Sequence, residues 1–118
     1  MRNMSFAMTT DAVIARTKTV TRRTGWKFLK RGDLIRPMRK TMGLKKGEKI
    51  EPLLDGCIRV TSVRRQMLPS VRNLPGECEK EGFPDWSADQ FINMLCEHYG
   101  CDDSTFFTRI EFEYVEEI

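Results

Sequence analysis

The spacing of apolar positions changes several times along this chain, and each change marks an element. MSFAM opens as a short strand, and Thr9 or Thr10 caps a brief helix whose apolar positions are Ala12, Val13 and Ala15. KTVTRR is rich in β-branched residues and reads as extended. A turn at Gly32-Asp33 leads into a strand from Leu34 to Met38, in which Pro37 predicts an edge or a bulge. The glycine- and lysine-rich TMGLKKGEKIEPLLDG predicts a mobile loop with solvated lysines. CIRVTSVRRQML is the clearest central strand, with Ile58 and Val60 on one face and Arg59 and Thr61 on the other.

PSVRNLPGECEKEGFPDW, broken by prolines and glycines, is expected to be irregular. In SADQFINMLCEHYG, residues Ala88, Phe91, Ile92, Leu95, Cys96 and Tyr99 form one helical stripe. Ser87 and Gln90 make a capping box, and Gly100 stands where the helix ends. The last segment alternates Phe106, Thr108, Ile110, Phe112 and Tyr114 with Phe107, Arg109, Glu111 and Glu113, a half-buried strand with a charged outer face. Several strands with few helices, and no regular β-α alternation, predict an α+β domain on a small, mostly antiparallel barrel or curled sheet.

At 118 residues and 40% hydrophobic content, the expectation is one domain, residues 1–118, with one core. No apolar run is long enough for a membrane span, and MRNMSFAMTT lacks the features of a secretion signal. A cytoplasmic monomer without a membrane partner is expected.

Charge sharpens this picture. The net charge is +3, yet residues 1–49 carry +11 and residues 50–118 carry −8. If the halves stay apart in space, one face attracts polyanions. If they interleave in a sheet, they neutralise each other. Cys57, Cys78, Cys96 and Cys101 lack paired metal-binding hooks and read as reduced apolar fillers, so neither metal nor cofactor is expected. His98, the one histidine, reads as an exposed residue near a helix end.

Taken in order, TKTVTRR after a short helix, GWKFLKRGD, CIRVTSVRR, KEGFPDWSADQFINML and TRIEFEYV resemble an ASCH domain of the PUA-like superfamily, from Ser5 to Val115. The resemblance implies a small β-barrel of about five or six mostly antiparallel strands flanked by two or three helices. It also implies a basic cleft that binds RNA or a modified nucleoside. Some members of the family deacylate N4-acetylcytidine, some are ribonucleases, and many have no assigned activity.

The family's lysine and threonine fall on Lys18 and Thr21, and its acidic residue on Glu81. A threonine hydroxyl needs a neighbour to take its proton. A lysine serves only when burial or a nearby cation lowers its pKa, and Arg16, Arg22 and Arg23 are candidate cations. Glu81 could donate a proton to the leaving amine or, ionised, hold the lysine; the residues leave both roles open. A purely structural Lys18–Glu81 tie is equally consistent with the sequence. In a regular strand, moreover, Lys18 and Thr21 point to opposite faces, so they converge only where the chain turns.

The same segment supports binding without catalysis. Arg16, Thr19, Arg22, Arg23 and Lys27, with Arg64 and Arg65 from the later strand, could follow a phosphate backbone, and Trp26 could stack on a base or fill the core.

Overall fold

The computed structural model of the chain describes residues 1–116. Its strands are β1 (Arg2–Ser5), β2 (Val20–Arg23), β3 (Leu34–Met38), β4 (Cys57–Met67) and β5 (Phe106–Val115). Its helices are α1 (Thr10–Ile14), α2 (Glu77–Lys80) and α3 (Ala88–Tyr99), with 3-10 turns at Ala7–Thr9 and Leu68–Asn73. The class is α+β. One sheet runs in the order β1-β3-β4-β5-β2, with β1 parallel to β3 and the other pairings antiparallel. The sheet stays open, so β1 and β2 are its two edges.

The longest strands, β4 and β5, pair along almost their whole length and form the centre. A register shift between Val60 and Ser62 inserts Thr61 as a bulge. That extra residue resets the alternation, so Val63 packs against the same core as Val60 despite their odd separation. Pro37 sits on an internal strand, but β4 pairs only with Leu34 and Ile35. Beyond that ladder the Pro37 carbonyl accepts from the Leu53 N–H at 3.0 Å, and Pro52 bridges to Met38.

Two apolar clusters form on the sheet. Met4, Phe6, Val13, Ile35, Ile58, Val60, Ile110 and Phe112 make the first, with α1 as its lid. Phe107, Leu68, Val71, Phe91, Ile92 and Leu95 make the second, under α3. Each buried Phe, Ile or Leu contributes about 1.5–3 kcal/mol. The second cluster corrects the expected alternation of β5: Phe107, Thr108, Arg109 and Ile110 are all buried while Phe106 is 52% exposed. The first half of β5 is covered on both faces, so its outer face is not a solvated charged one.

The stretch expected to be irregular also folds. Pro69 enters the 3-10 helix Leu68–Asn73 in its first turn, where a missing N–H costs nothing, and Gly76 in the left-handed region starts α2. α3 has both arms of the Ser87–Gln90 capping box and ends at Gly100 with φ 62°. Thr9 stands at the N-cap of α1 without a side-chain cap bond; instead Thr10 donates to the Phe6 carbonyl at 3.0 Å. No helix among the described residues is long and apolar enough to cross a membrane.

Candidate active site

The site begins where α1 stops. Arg16 has φ 62°, and the Thr17 N–H reaches the Ala12 carbonyl while the Arg16 N–H reaches that of Val13. This is a Schellman-type stop with an arginine in the strained left-handed position that usually takes glycine. The reversal places Lys18 at the corner before β2. The Tyr114 hydroxyl donates to the Lys18 carbonyl at 2.6 Å. Thr19 is tied on both sides: its N–H donates to the Lys80 carbonyl at 2.8 Å, and its own carbonyl accepts from the Phe112 N–H at 3.0 Å.

Glu81 arrives from the end of α2. Gly82 follows with φ 98°, and a Cβ there would lie 3.1 Å from that of Ala12, so the glycine lets this turn press against α1. Lys18 and Glu81 are each 2% exposed. The Lys18 Nζ donates to the Glu81 backbone carbonyl and, at 3.1 Å, to its Oε1. Glu81 Oε2 accepts from Arg22 at 2.7 Å. Arg22 also donates to Glu77, which accepts from Arg109 at 2.6 and 3.1 Å.

The sheet explains why Glu77 is needed. Arg64, Arg109 and Arg22 lie abreast across β4, β5 and β2. Like charges directly opposite repel, and Glu77 sits between two of them. The chain Lys18–Glu81–Arg22–Glu77–Arg109 thus holds three cations and two anions, and Arg23 beside it adds a further cation.

These residues border a cleft of about 220 Å³. Lys18, Thr21, Arg22, Arg23 and Glu81 form its polar wall. Ser5 to Thr9 form a second wall, and Phe83 with Phe91, Met94, Leu95, His98 and Tyr99 a third. The odd separation of Lys18 and Thr21 is no obstacle, because Lys18 lies at the corner before β2 and outside the strand's alternation, and both residues line the cleft. Thr21, 3% exposed, accepts from Arg23 Nε at 3.1 Å. The Arg23 guanidinium lies 4.9 Å from the centre of the Phe6 ring.

Burial pushes the Lys18 pKa below its ordinary 10.5, outweighing the attraction of Glu81, and Arg23 and Arg22 push the same way. Burial also lowers the Arg23 pKa. For Glu77, burial acts upward but the hydrogen bond from Arg109 and the charge of Arg22 overcome it, leaving the carboxyl below its ordinary 4.5. Burial raises Tyr99 and pushes Tyr114 up to about 12.

Of the residues considered for ligand binding, Arg22 and Arg23 line the cleft, whereas Arg16, Thr19, Trp26, Lys27, Arg64 and Arg65 do not. Arg16 is exposed and pairs with Glu116. Trp26 packs beside the first core and against Phe28, their ring centres 5.5 Å apart. Lys27 and Arg64 are exposed, and Arg65 donates to Thr108 at 2.7 Å. Glu77 and Arg109 are not singled out by the sequence, because only the β2–β5 register sets Arg109 opposite Arg22 and so calls for an acid between them. His98 is exposed yet stands on the rim of the cleft.

No family model and no curated protein matches the sequence. Solved structures do match. An ASCH domain from Lactobacillus crispatus JV V101 superposes with TM-score 0.58 at 16% identity, over 98% of this chain and 80% of that one. The chain carries the ASCH-domain fold. The hypothetical protein PH0355 matches this chain with TM-score 0.61 at 13% identity, over 97% and 96% of the two chains. Protein EF3133 from Enterococcus faecalis V583, of family DUF984, gives 0.58 at 17%, over 91% and 66%. The ASCH likeness is one of backbone; the chemistry of the cleft rests on this chain's own side chains.

Proposed function

We propose that this ASCH-type domain is a hydrolase that removes the acyl group from an N4-acylated cytidine held in the β2-edge cleft. The observation that carries the reading is that Lys18, Thr21 and Glu81 are all buried on one wall of a single cleft, with the lysine pushed toward its neutral form. A volume of about 220 Å³ suits one nucleoside better than a polymer. Phe6, Phe83 and Tyr99 offer apolar surface to a base.

A neutral Lys18 amine has two N–H bonds and one lone pair. The carbonyl and carboxylate of Glu81 accept the two N–H bonds, which leaves the lone pair for the Thr21 proton. The Thr21 oxygen then attacks the acyl carbon. Arg23, already donating to that oxygen, favours its developing charge. When the C–N bond breaks, the Lys18 ammonium returns the proton to the N4 nitrogen and cytidine leaves. Water, giving a proton to the same amine, then attacks the acyl carbon, and as the bond to Thr21 breaks the Lys18 ammonium returns the proton to the Thr21 oxygen and the acid leaves. Glu81 accepts from two cations, which fits the role of anchor rather than proton donor.

Incubation with N4-acetylcytidine, followed by chromatography, tests the proposal. Cytidine and acetate are the expected products, with turnover abolished in Lys18→Ala and in Thr21→Val. Salt-sensitive RNA binding with no turnover of the nucleoside would identify a recognition module instead. RNA cleavage lost in Lys18→Ala would identify a ribonuclease.

A further inference from the structure

The chemistry of the cleft leaves one motif unused, CEHYGC at the end of α3. Gly100 takes the left-handed region at φ 62°, its N–H reaches the Glu97 carbonyl at 3.3 Å, and the Cys101 N–H reaches back to the Cys96 carbonyl at 3.0 Å. These two bonds make a Schellman stop, in which the residue after the glycine comes to lie beside the residue five positions earlier. That pair ordinarily closes the motif with an apolar contact. Here both members are cysteines. Each is half-buried and packs against the second core cluster, whereas Cys57 is enclosed and Cys78 gives its S–H to the Ser87 carbonyl. Burial, and then the Cys101 sulfur within hydrogen-bond reach, hold the Cys96 thiol above its ordinary 9.0. His98, between them in sequence, packs edge-on against Tyr99 with ring centres 4.9 Å apart, and among the described residues no trio of side chains is placed to hold a metal. The geometry is that of a dithiol.

We propose that Cys96 and Cys101 are a redox-sensitive pair, closed to a disulfide by exchange with a small-molecule disulfide and reopened by excess small thiol. In the first step one cysteine, as its thiolate, attacks a sulfur of the small disulfide, whose S–S bond breaks and releases one small thiol. In the second step the other cysteine attacks the protein sulfur of that mixed disulfide and expels the second small thiol. The protein gives up two electrons and two protons, and the small disulfide takes them. The backbone favours the second step, because the turn already sets the two cysteines side by side and ring closure costs little chain entropy. The raised pKa of Cys96 slows attack at neutral pH without setting the end point. Closure acts on the cleft: Met94, Leu95, His98 and Tyr99 line its third wall from the last turns of α3, and the covalent link pins that end of the helix. The inference needs neither the acylated nucleoside nor the hydrolase reading.

Equilibration of the full chain in glutathione buffers, from fully reduced to mostly oxidised, followed by alkylation of the remaining thiols and peptide mass spectrometry, tests the pair. One internal Cys96–Cys101 bond is expected, with Cys57 and Cys78 still alkylated. The equilibrium constant for closure, read from the same buffers, is expected to fall about tenfold or more in urea, where the turn is lost. His98 is the one histidine, so its imidazole signal is unambiguous by NMR. It is expected to shift in step with closure in the wild type and to stay in place in Cys101→Ser. No bond at any buffer composition overturns the proposal, and so does a main product joined to Cys78, joined between chains, or carrying glutathione without closing. Equal closure in the folded and the unfolded chain also overturns it, because the turn then contributes nothing. A His98 signal unmoved by closure overturns the link to the cleft wall. The wild-type peptide map decides the matter even if Cys101→Ser does not fold. No substrate enters the experiment, so its failure leaves the hydrolase reading standing.

Discussion

Lys18 and Glu81, 63 residues apart in sequence, meet in the protein interior through two hydrogen bonds from one ammonium to both the backbone carbonyl and the carboxylate of the same residue. The double contact fixes the lysine's position more tightly than a side-chain ion pair alone. Because Arg22 also donates to Glu81, the acid serves two cations and the lysine serves one acid.

That asymmetry predicts unequal costs on mutation. Glu81→Gln leaves Lys18 and Arg22 buried without their shared counter-charge and is expected to lower stability by about 3–5 kcal/mol. Lys18→Met leaves Glu81 paired with Arg22 but strips its buried backbone carbonyl of a side-chain donor, so its cost is expected to be smaller, about 1–3 kcal/mol. Urea unfolding of the two variants measures the difference. Equal costs would show that Glu81 is not the hub.

Acid should release the Glu77 cluster. The folded pKa of Glu77 lies below its ordinary 4.5, so above that value the unfolded chain gains no advantage from proton uptake and the contribution is fully present. It is lost as pH falls through the folded value, because the unfolded state then binds the proton first. The urea midpoint is expected to fall between pH 6 and pH 3, and to fall less steeply in Glu77→Gln.

The tyrosines titrate late. Both are pushed above the ordinary 10.0 by burial, Tyr114 to about 12. Ultraviolet titration of the folded chain is expected to show little tyrosinate at pH 10, with about half of the full signal appearing there on adding denaturant. Since the folded pKa is raised, stability from Tyr114 holds below pH 10 and declines as pH rises toward 12.

Gly56 is held by a close approach of backbone. A Cβ at that position would lie 2.0 Å from the Val115 carbonyl oxygen, an atom fixed at the end of β5. Gly56→Ala is expected to cost about 1–3 kcal/mol, read as a lowered urea midpoint with an unchanged slope. An unchanged midpoint would contradict the packing of β5 against the start of β4.

Much of this was legible from residues alone, and the failures have physical causes. The capping box at Ser87 and Gln90 and the stripe from Phe91 to Tyr99 are local signals, and α3 follows them. β5 was legible as a strand but not in its burial, because α3 and the 3-10 helix at Leu68 cover a face that alternation assigns to solvent. Prolines at 69 and 75 looked like breakers, although a proline at the start of a turn disrupts nothing. The meeting of Lys18 with Glu81 followed from family resemblance. Arg109 and Glu77 required the β2–β5 register, which no single segment contains. Arg22 looked like one basic residue among many, and only burial sets it apart from Lys27 or Arg64.

The most direct test of the central claim is the pH dependence of kcat/KM for release of acetate from N4-acetylcytidine. Lys18 acts as a base only when neutral, and burial, with Arg22 and Arg23 nearby, lowers its pKa against the opposing pull of Glu81. The account predicts a rate that rises with pH through one ionisation whose midpoint lies below 10.5, and that is lost throughout in Lys18→Ala. A flat profile, a midpoint at or above 10.5, or a Lys18→Ala variant that keeps the same rising limb would contradict it.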